Sequence, residues 1–249
     1  MKVIVQNLAI EYKDEGSGKI LLFLHGWQGN LQSFDTLVPL LTTSYRVIRV
    51  DLPGFGKSET QKEVWDLDTY VAFLNNFIEK LNLEIYALVG HSFGGRIAIK
   101  GEARKILHAR KIVLVASAGV AQRKNFRNFF FKVVAKIGKC VTYIPPLLFW
   151  REGLRRKMYT FIGSDYMNAG VLKKTFLKII AEDLTENAKS ITVPTLLVWG
   201  ETDKETPLSD GLRLSKMIAN SSFKTLKDCG HFVYKEKPKE VAELIQKFL

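Results

Sequence analysis

Ile20-Leu21-Leu22-Phe23-Leu24 is an unbroken apolar run of strand length that stops at His25-Gly26. A strand apolar along its whole length is buried on both faces, as in a parallel sheet covered by helices rather than a half-solvated antiparallel one. Similar strand patterns recur. Tyr45–Val50 ends at Asp51-Leu52-Pro53-Gly54, and Ile85–Val89 runs into Gly90-His91-Ser92. Lys111–Ala116, Thr195–Trp199 and Ser222–Leu226 read as strands too. Between them lie segments of helical character: Leu31–Leu41, Asp68–Leu81, Ser92–Ala103, Ser209–Ala219 and Pro238–Phe248. Two short strands, Lys2–Gln6 and Leu8–Tyr12, precede a turn at Gly16-Ser17-Gly18. Strand and helix patterns in alternation predict a mostly parallel α/β sheet flanked by helices.

The rhythm breaks between about Ala121 and Lys189, in a helical, basic, Phe-rich stretch too long for a simple connection. It reads as a helical cap (121–189) inserted into a core made of 1–120 and 190–249, lying over the sheet edge where open α/β sheets bind ligands. The formal charge of the 249-residue chain is +12, and 14 Lys and Arg against 5 Asp and Glu put +9 of it in that stretch. Such a surface attracts anions or keeps a protein soluble. No nucleic-acid-binding module accompanies it, so nucleic acid is not an expected partner. No run approaches the roughly 18 apolar residues of a membrane span. The start, Met1-Lys2-Val3-Ile4-Val5, lacks the apolar core of an export signal, so a cytoplasmic location is expected. Cys140 and Cys229 read as two reduced thiols, and the scattered histidines form no metal-binding spacing.

The chemistry-bearing signal is Gly90-His91-Ser92-Phe93-Gly94-Gly95. It matches G-x-S-x-G between a predicted strand and a predicted helix, the setting in which the motif makes a sharp turn that lifts a serine hydroxyl above the sheet edge. The amides at the start of the helix favour negative charge at that spot. A serine is a weak nucleophile at neutral pH and needs a base. His231, in Asp228-Cys229-Gly230-His231-Phe232, follows the last predicted strand and so reaches the same sheet edge. His25 precedes the loop after the first buried strand, His91 sits inside the turn beside Ser92, and His108 lies in a polar run. An acid that orients the base is expected from Trp199-Gly200-Glu201-Thr202-Asp203. Asp203 is the first choice, with Glu201, Glu205 and Asp228 as rivals. Asp51 reads as structural. The stretch Asp51-Leu52-Pro53-Gly54-Phe55-Gly56-Lys57-Ser58 lacks the four-residue spacing between glycines that a phosphate loop requires.

With His25-Gly26-Trp27, Asp51-Leu52-Pro53-Gly54-Phe55-Gly56-Lys57-Ser58, Gly90-His91-Ser92-Phe93-Gly94-Gly95, Trp199-Gly200-Glu201-Thr202-Asp203 and Gly230-His231-Phe232 in this order, the chain resembles the α/β-hydrolase superfamily, in its branch of small esterases and lactonases with a helical cap. The resemblance implies an eight-stranded, mostly parallel sheet and a Ser92–Asp203–His231 triad. It also implies an oxyanion hole from the backbone amides of Phe93 and Trp27. Relatives of this fold that open epoxides or remove halides are similar but carry Asp at the nucleophile position. The implied chemistry needs no metal or organic cofactor.

The resemblance points to hydrolysis of a small-molecule ester or lactone. Phe126, Phe129, Phe130, Phe131, Tyr143, Phe149, Trp150, Tyr159 and Phe161 would line an apolar tunnel or pack the cap. Cap-bearing esterases that act on acyl-carrier-protein substrates are similar in their His-Gly-Trp loop and basic cap, which makes an acidic acyl-carrier protein an expected partner. The same triad also serves C–C bond hydrolases, thioesterases and perhydrolases, and some members of the fold are slow-turnover receptors for small molecules.

Overall fold

A computed structural model describes residues 1–120 and 170–249. Most of the expected cap lies outside the described residues, including its aromatic stretch and Cys140. The described chain builds one eight-stranded sheet: β1 (Lys2–Val5), β2 (Leu8–Glu15), β3 (Ile20–Leu24), β4 (Arg46–Val50), β5 (Ile85–His91), β6 (Lys111–Val115), β7 (Thr195–Gly200) and β8 (Ser221–Leu226). The spatial order is β1-β2-β4-β3-β5-β6-β7-β8. Every pair from β4 to β8 is parallel, while β1–β2 and β2–β4 are antiparallel.

The first hairpin turns on Gln6 and Asn7, with φ of 49° and 63°. That left-handed pair suits the twist of a two-residue turn and ends β1 one residue before the sequence pattern does. β2 runs past Tyr12 to Glu15, because Tyr12–Glu15 find partners in Val50–Val47 of β4.

Side chains of the central strands alternate between two cores. Leu22, Leu24, Leu88, Leu114, Leu197 and Trp199 face one side. There they meet α1 (Leu67–Lys80), α2 (Phe93–Ala103), α4 (Thr185–Lys189) and α5 (Leu208–Met217). Leu21, Phe23, Val89, Val115 and Val198 face the other side, against Phe34, Leu37, Leu41, α6 (Val233–Glu236) and α7 (Pro238–Phe248). Burial on both faces explains why these strands read as continuous apolar runs.

Leu31–Leu41 departs from expectation. It forms two short 3-10 turns, Leu31–Phe34 and Val38–Leu40, instead of one helix. Pro39 has no N–H to give a helix, and its ring would collide with the carbonyl of Asp35. The apolar face survives: Leu31, Phe34, Leu37, Val38 and Leu41 are all buried.

After the undescribed stretch, α3 (Lys173–Ala181) and α4 fasten to the core. Leu184 and Ala188 are fully buried, and the Leu184 amide donates to the Gly119 carbonyl at 2.9 Å. Arg96 of α2 donates to the carbonyls of Ile179 (2.6 Å) and Glu182, so a cation sits at the carbonyl-rich end of α3. The buried Lys100 ammonium pairs with Asp68 at 2.8 Å and Glu182 at 2.5 Å, joining α1 and α3 through α2.

Candidate active site

All the candidate residues sit on loops at the C-terminal ends of β3, β5, β7 and β8. Ser92 occupies the single position between β5 and α2, at φ 49° and ψ −107°. A non-glycine residue with those angles is strained, and it holds there only because its surroundings fix it. The Ser92 amide donates to the Val115 carbonyl, and the Ala118 amide donates to the Ser92 carbonyl, both at 3.2 Å. The turn also brings α2 hard against β3. A Cβ at Gly94 would stand 2.2 Å from the Leu24 carbonyl oxygen, so only glycine fits. The Gly94 amide instead donates to the His25 carbonyl at 3.1 Å.

His25 holds the facing loop. Its Nδ1–H donates to the Gly26 carbonyl at 2.8 Å, and its Nε2 accepts from the Leu52 amide at 3.0 Å. Full burial lowers its pKa, in spite of the Gly26 carbonyl and Asp51, which favour the charged form. His25 is therefore a neutral brace. Asp51 is structural, as the sequence implied: its carboxylate accepts from the amides of Leu31 (2.6 Å) and Lys57 (2.7 Å). Gly26 lies directly beside the serine, since a Cβ there would be 3.4 Å from Ser92 Cβ. Next in the chain, Trp27 packs its ring against Phe55 (4.9 Å between centroids), Phe93 (5.4 Å) and Phe176 of α3 (5.0 Å). The amide of Phe93 opens α2, where helix geometry supplies no acceptor.

Asp203 and His231 meet across two loops. His231 Nδ1 and Asp203 Oδ2 are 2.9 Å apart and both residues are buried. Asp203 Oδ1 accepts from the amides of Glu205 and Thr206, each at 2.9 Å, and the Thr206 hydroxyl donates to Oδ2 at 2.8 Å. Burial pushes this carboxyl up, but the hydrogen bond and charge of His231 and the bonds from Thr206 outweigh it, leaving it below the ordinary carboxylate range. The acceptor-rich Asp203 fixes the proton of a neutral His231 on Nδ1 and leaves the Nε2 lone pair open. The rivals do not take this place. Glu201 and Asp228 are exposed, Asp228 in a turn at φ 52°. Ser92, His231, His91, Trp27 and Glu205 line one cleft of about 500 Å³. His108 is exposed, away from these loops. Among the described residues, no cluster of His, Cys, Asp or Glu could hold a metal ion.

The profile of the Alpha/beta hydrolase family matches residues 21–244. The chain belongs to that family. Among the family's curated members it is 27% identical to an uncharacterized hydrolase, YugF of Bacillus subtilis (strain 168), over 98% of this chain and 94% of that one. It is 29% identical to the human monoacylglycerol lipase ABHD6, over 92% of this chain and 74% of that one. The crystal structure of a membrane phospholipase A, described as a bacterial virulence factor, superposes with a TM-score of 0.78. It shares 26% identity and covers 100% of this chain and 84% of that one. Among the described residues of this hydrolase, no helix is long and apolar enough to cross a membrane.

Three residues of the hydrolase's site carry roles the sequence did not suggest. His91 donates from Nε2 to the His231 carbonyl at 3.1 Å, and burial holds its pKa well below the ordinary 6.5. Thr206 clasps Asp203, and its position three residues later is the spacing of a carboxylate-capped turn, a signal available in the sequence. Glu205, a rival acid in the sequence, places Oε2 3.4 Å from His231 Nε2 and is half exposed in the cleft.

Proposed function

We propose that this hydrolase cleaves carboxylic esters, lactones included, of small to medium acyl substrates. Ser92 is the nucleophile, His231 the general base and Asp203 the acid that orients the base. The observation that carries this reading is the 2.9 Å contact between His231 Nδ1 and Asp203 Oδ2 in the same cleft as a serine at φ 49°. His231 Nε2 takes the Ser92 proton as the hydroxyl oxygen attacks the ester carbonyl. The amides of Phe93 and Trp27 receive the negative charge that develops on the carbonyl oxygen, each contributing about 3 kcal/mol of transition-state stabilisation. The imidazolium then protonates the departing alkoxide. A water, deprotonated in turn by His231, releases the acid and restores Ser92. Trp27, backed by the buried rings of Phe55 and Phe93, offers an aromatic surface to the acyl chain beside the nucleophile. The names of the human relative and of the phospholipase, both ester-cleaving lipases, support an acyl ester as the substrate class.

Two assays test this. One is steady-state hydrolysis of p-nitrophenyl esters from short to long acyl chains, with an acyl-homoserine lactone beside them, for the wild type and Ser92→Ala. The other is labelling by a fluorophosphonate, with the modified residue located by mass spectrometry. Turnover lost in Ser92→Ala, with the label on Ser92, is the expected result. Turnover that persists in Ser92→Ala, or a label elsewhere, overturns the assignment. A folded protein that takes the label but cleaves no ester or lactone moves the bond choice elsewhere, to C–C bonds or thioesters.

A further inference from the structure

His231 Nε2 is the atom that hands a proton to the leaving alkoxide, so whatever is attached to that oxygen must pass beside Nε2. Glu205 Oε2 lies 3.4 Å from that nitrogen, and its carboxylate lines the cleft that also holds Ser92. The side chain is 57% exposed and so faces incoming groups. Its backbone amide donates to Asp203 Oδ1 at 2.9 Å, which fixes where the side chain leaves the main chain. Among the described residues, the other formally charged one that lines the cleft is Lys235, whose ammonium rests over the Phe232 ring at 5.3 Å. The cleft is also lined by the uncharged polar side chains of Gln28, Asn30, Gln32 and Ser33.

We propose that Glu205 is a specificity-determining residue that makes this cleft the subsite for the alcohol portion of the ester and selects its charge. Hydroxyl-bearing or cationic alcohols are admitted; anionic ones are rejected. The inference rests on the ester-hydrolase reading above. A carboxylate only accepts hydrogen bonds, so it matches a hydroxyl or ammonium donor and opposes a second carboxylate. Coulomb repulsion at a few ångströms, partly screened, corresponds to about tenfold in rate. The side-chain amides that share the cleft suit the same hydroxylated group.

The test uses three esters of one acyl chain: those of ethylene glycol and glycolate, similar in size and different in charge, and that of the bulkier cation choline. The readout is the ratio of kcat/KM values within each protein, which cancels differences in active fraction. Wild type should prefer the glycol ester to the glycolate ester by about tenfold, and high salt should shrink that preference. Glu205→Gln should bring the ratio close to one, with a matching loss of preference for choline. Glu205→Lys should invert the order. Ratios that do not change in either variant overturn the inference while leaving the ester reading intact. Failure of the wild type to cleave any of the three esters, with no label on Ser92, overturns both. Labelled Ser92 with turnover confined to other bonds overturns the ester reading and the alcohol subsite with it, and leaves only the assignment of the nucleophile.

Discussion

The imidazole of His91 donates to the main-chain carbonyl of His231 across 3.1 Å, so the residue before the candidate nucleophile holds the backbone of the candidate base. His91 is buried against His231, Phe232 and Tyr234, and its depressed pKa keeps it neutral through the working range of an esterase. His91→Leu strands the His231 carbonyl without a donor in a buried setting, at about 1–3 kcal/mol. Stability should fall by that amount, and kcat should fall about tenfold or more with a smaller change in KM. His91→Gln carries an amide N–H in reach of the same carbonyl and should recover much of kcat. Equal kcat for the Leu and Gln variants would show that packing alone matters here.

Thr206 predicts a finer effect. Its hydroxyl donates to Asp203 Oδ2 at 2.8 Å, while its amide separately serves Oδ1. Thr206→Val removes the hydroxyl, which is also 3.1 Å from the Ala116 carbonyl, and keeps the amide bond, and kcat should drop about three- to tenfold, the size of one ordinary hydrogen bond. Asp203→Asn, which loses the acceptor that fixes the His231 tautomer, should drop it by about 10⁴. A depressed native pKa at Asp203 stabilises the fold above the ordinary carboxylate value, and that contribution vanishes as pH falls through the native one. The valine variant should therefore unfold at a higher pH on acidification, followed by tryptophan fluorescence. Coincident acid transitions would contradict the role given to the hydroxyl.

Glu102 works in the opposite direction. Burial raises its carboxyl from an ordinary 4.5 to about 7, although the Ala109 amide donates to it at 2.7 Å. Between those two values the native state keeps a proton that the unfolded chain has released, so this group's contribution falls as pH rises, then levels off. Glu102→Gln keeps an acceptor for Ala109 and removes the titration. The variant should gain on the wild type by on the order of 1–2 kcal/mol from mildly acid to mildly alkaline pH. Paired melting curves across that window check it; parallel curves would contradict it.

Gly94→Ala tests the turn itself. The new methyl would press on the backbone oxygen of Leu24, which cannot swing aside as a side chain can. Soluble yield and melting temperature should both fall sharply, because overpacking against backbone costs about 3 kcal/mol or more. A well-folded variant of unchanged melting temperature would mean that β3 and α2 can separate.

Much of this was legible in the sequence because it is local. The buried strands announce themselves as apolar runs, and Ser92 and Asp203 each lie just past one, where a parallel sheet collects its loops; His231 follows β8, a half-exposed edge strand. Leu31–Leu41 read as a helix because its apolar spacing is helical, and the one residue that breaks it, Pro39, leaves that spacing intact. The roles of His91 and Glu205 were hidden for another reason. The partner of His91 stands 140 residues away, and no local pattern reports a bond to a distant main-chain carbonyl. Glu205 stood beside Asp203 in the sequence as a rival acid, and only the backbone turn decides which carboxylate faces Nδ1 and which faces Nε2.

The site's loops are fastened to one another largely through main-chain oxygens: Gly94 to His25, Ser92 to Val115, Thr202 to Cys229 and His91 to His231. A peptide oxygen is the same whatever side chain follows it. Mutational drift can therefore rewrite much of the chemistry displayed around the cleft, changing which molecule is accepted, without loosening the frame that holds Ser92 and His231. The scaffold is in that sense pre-adapted to acquire new substrates by surface change alone.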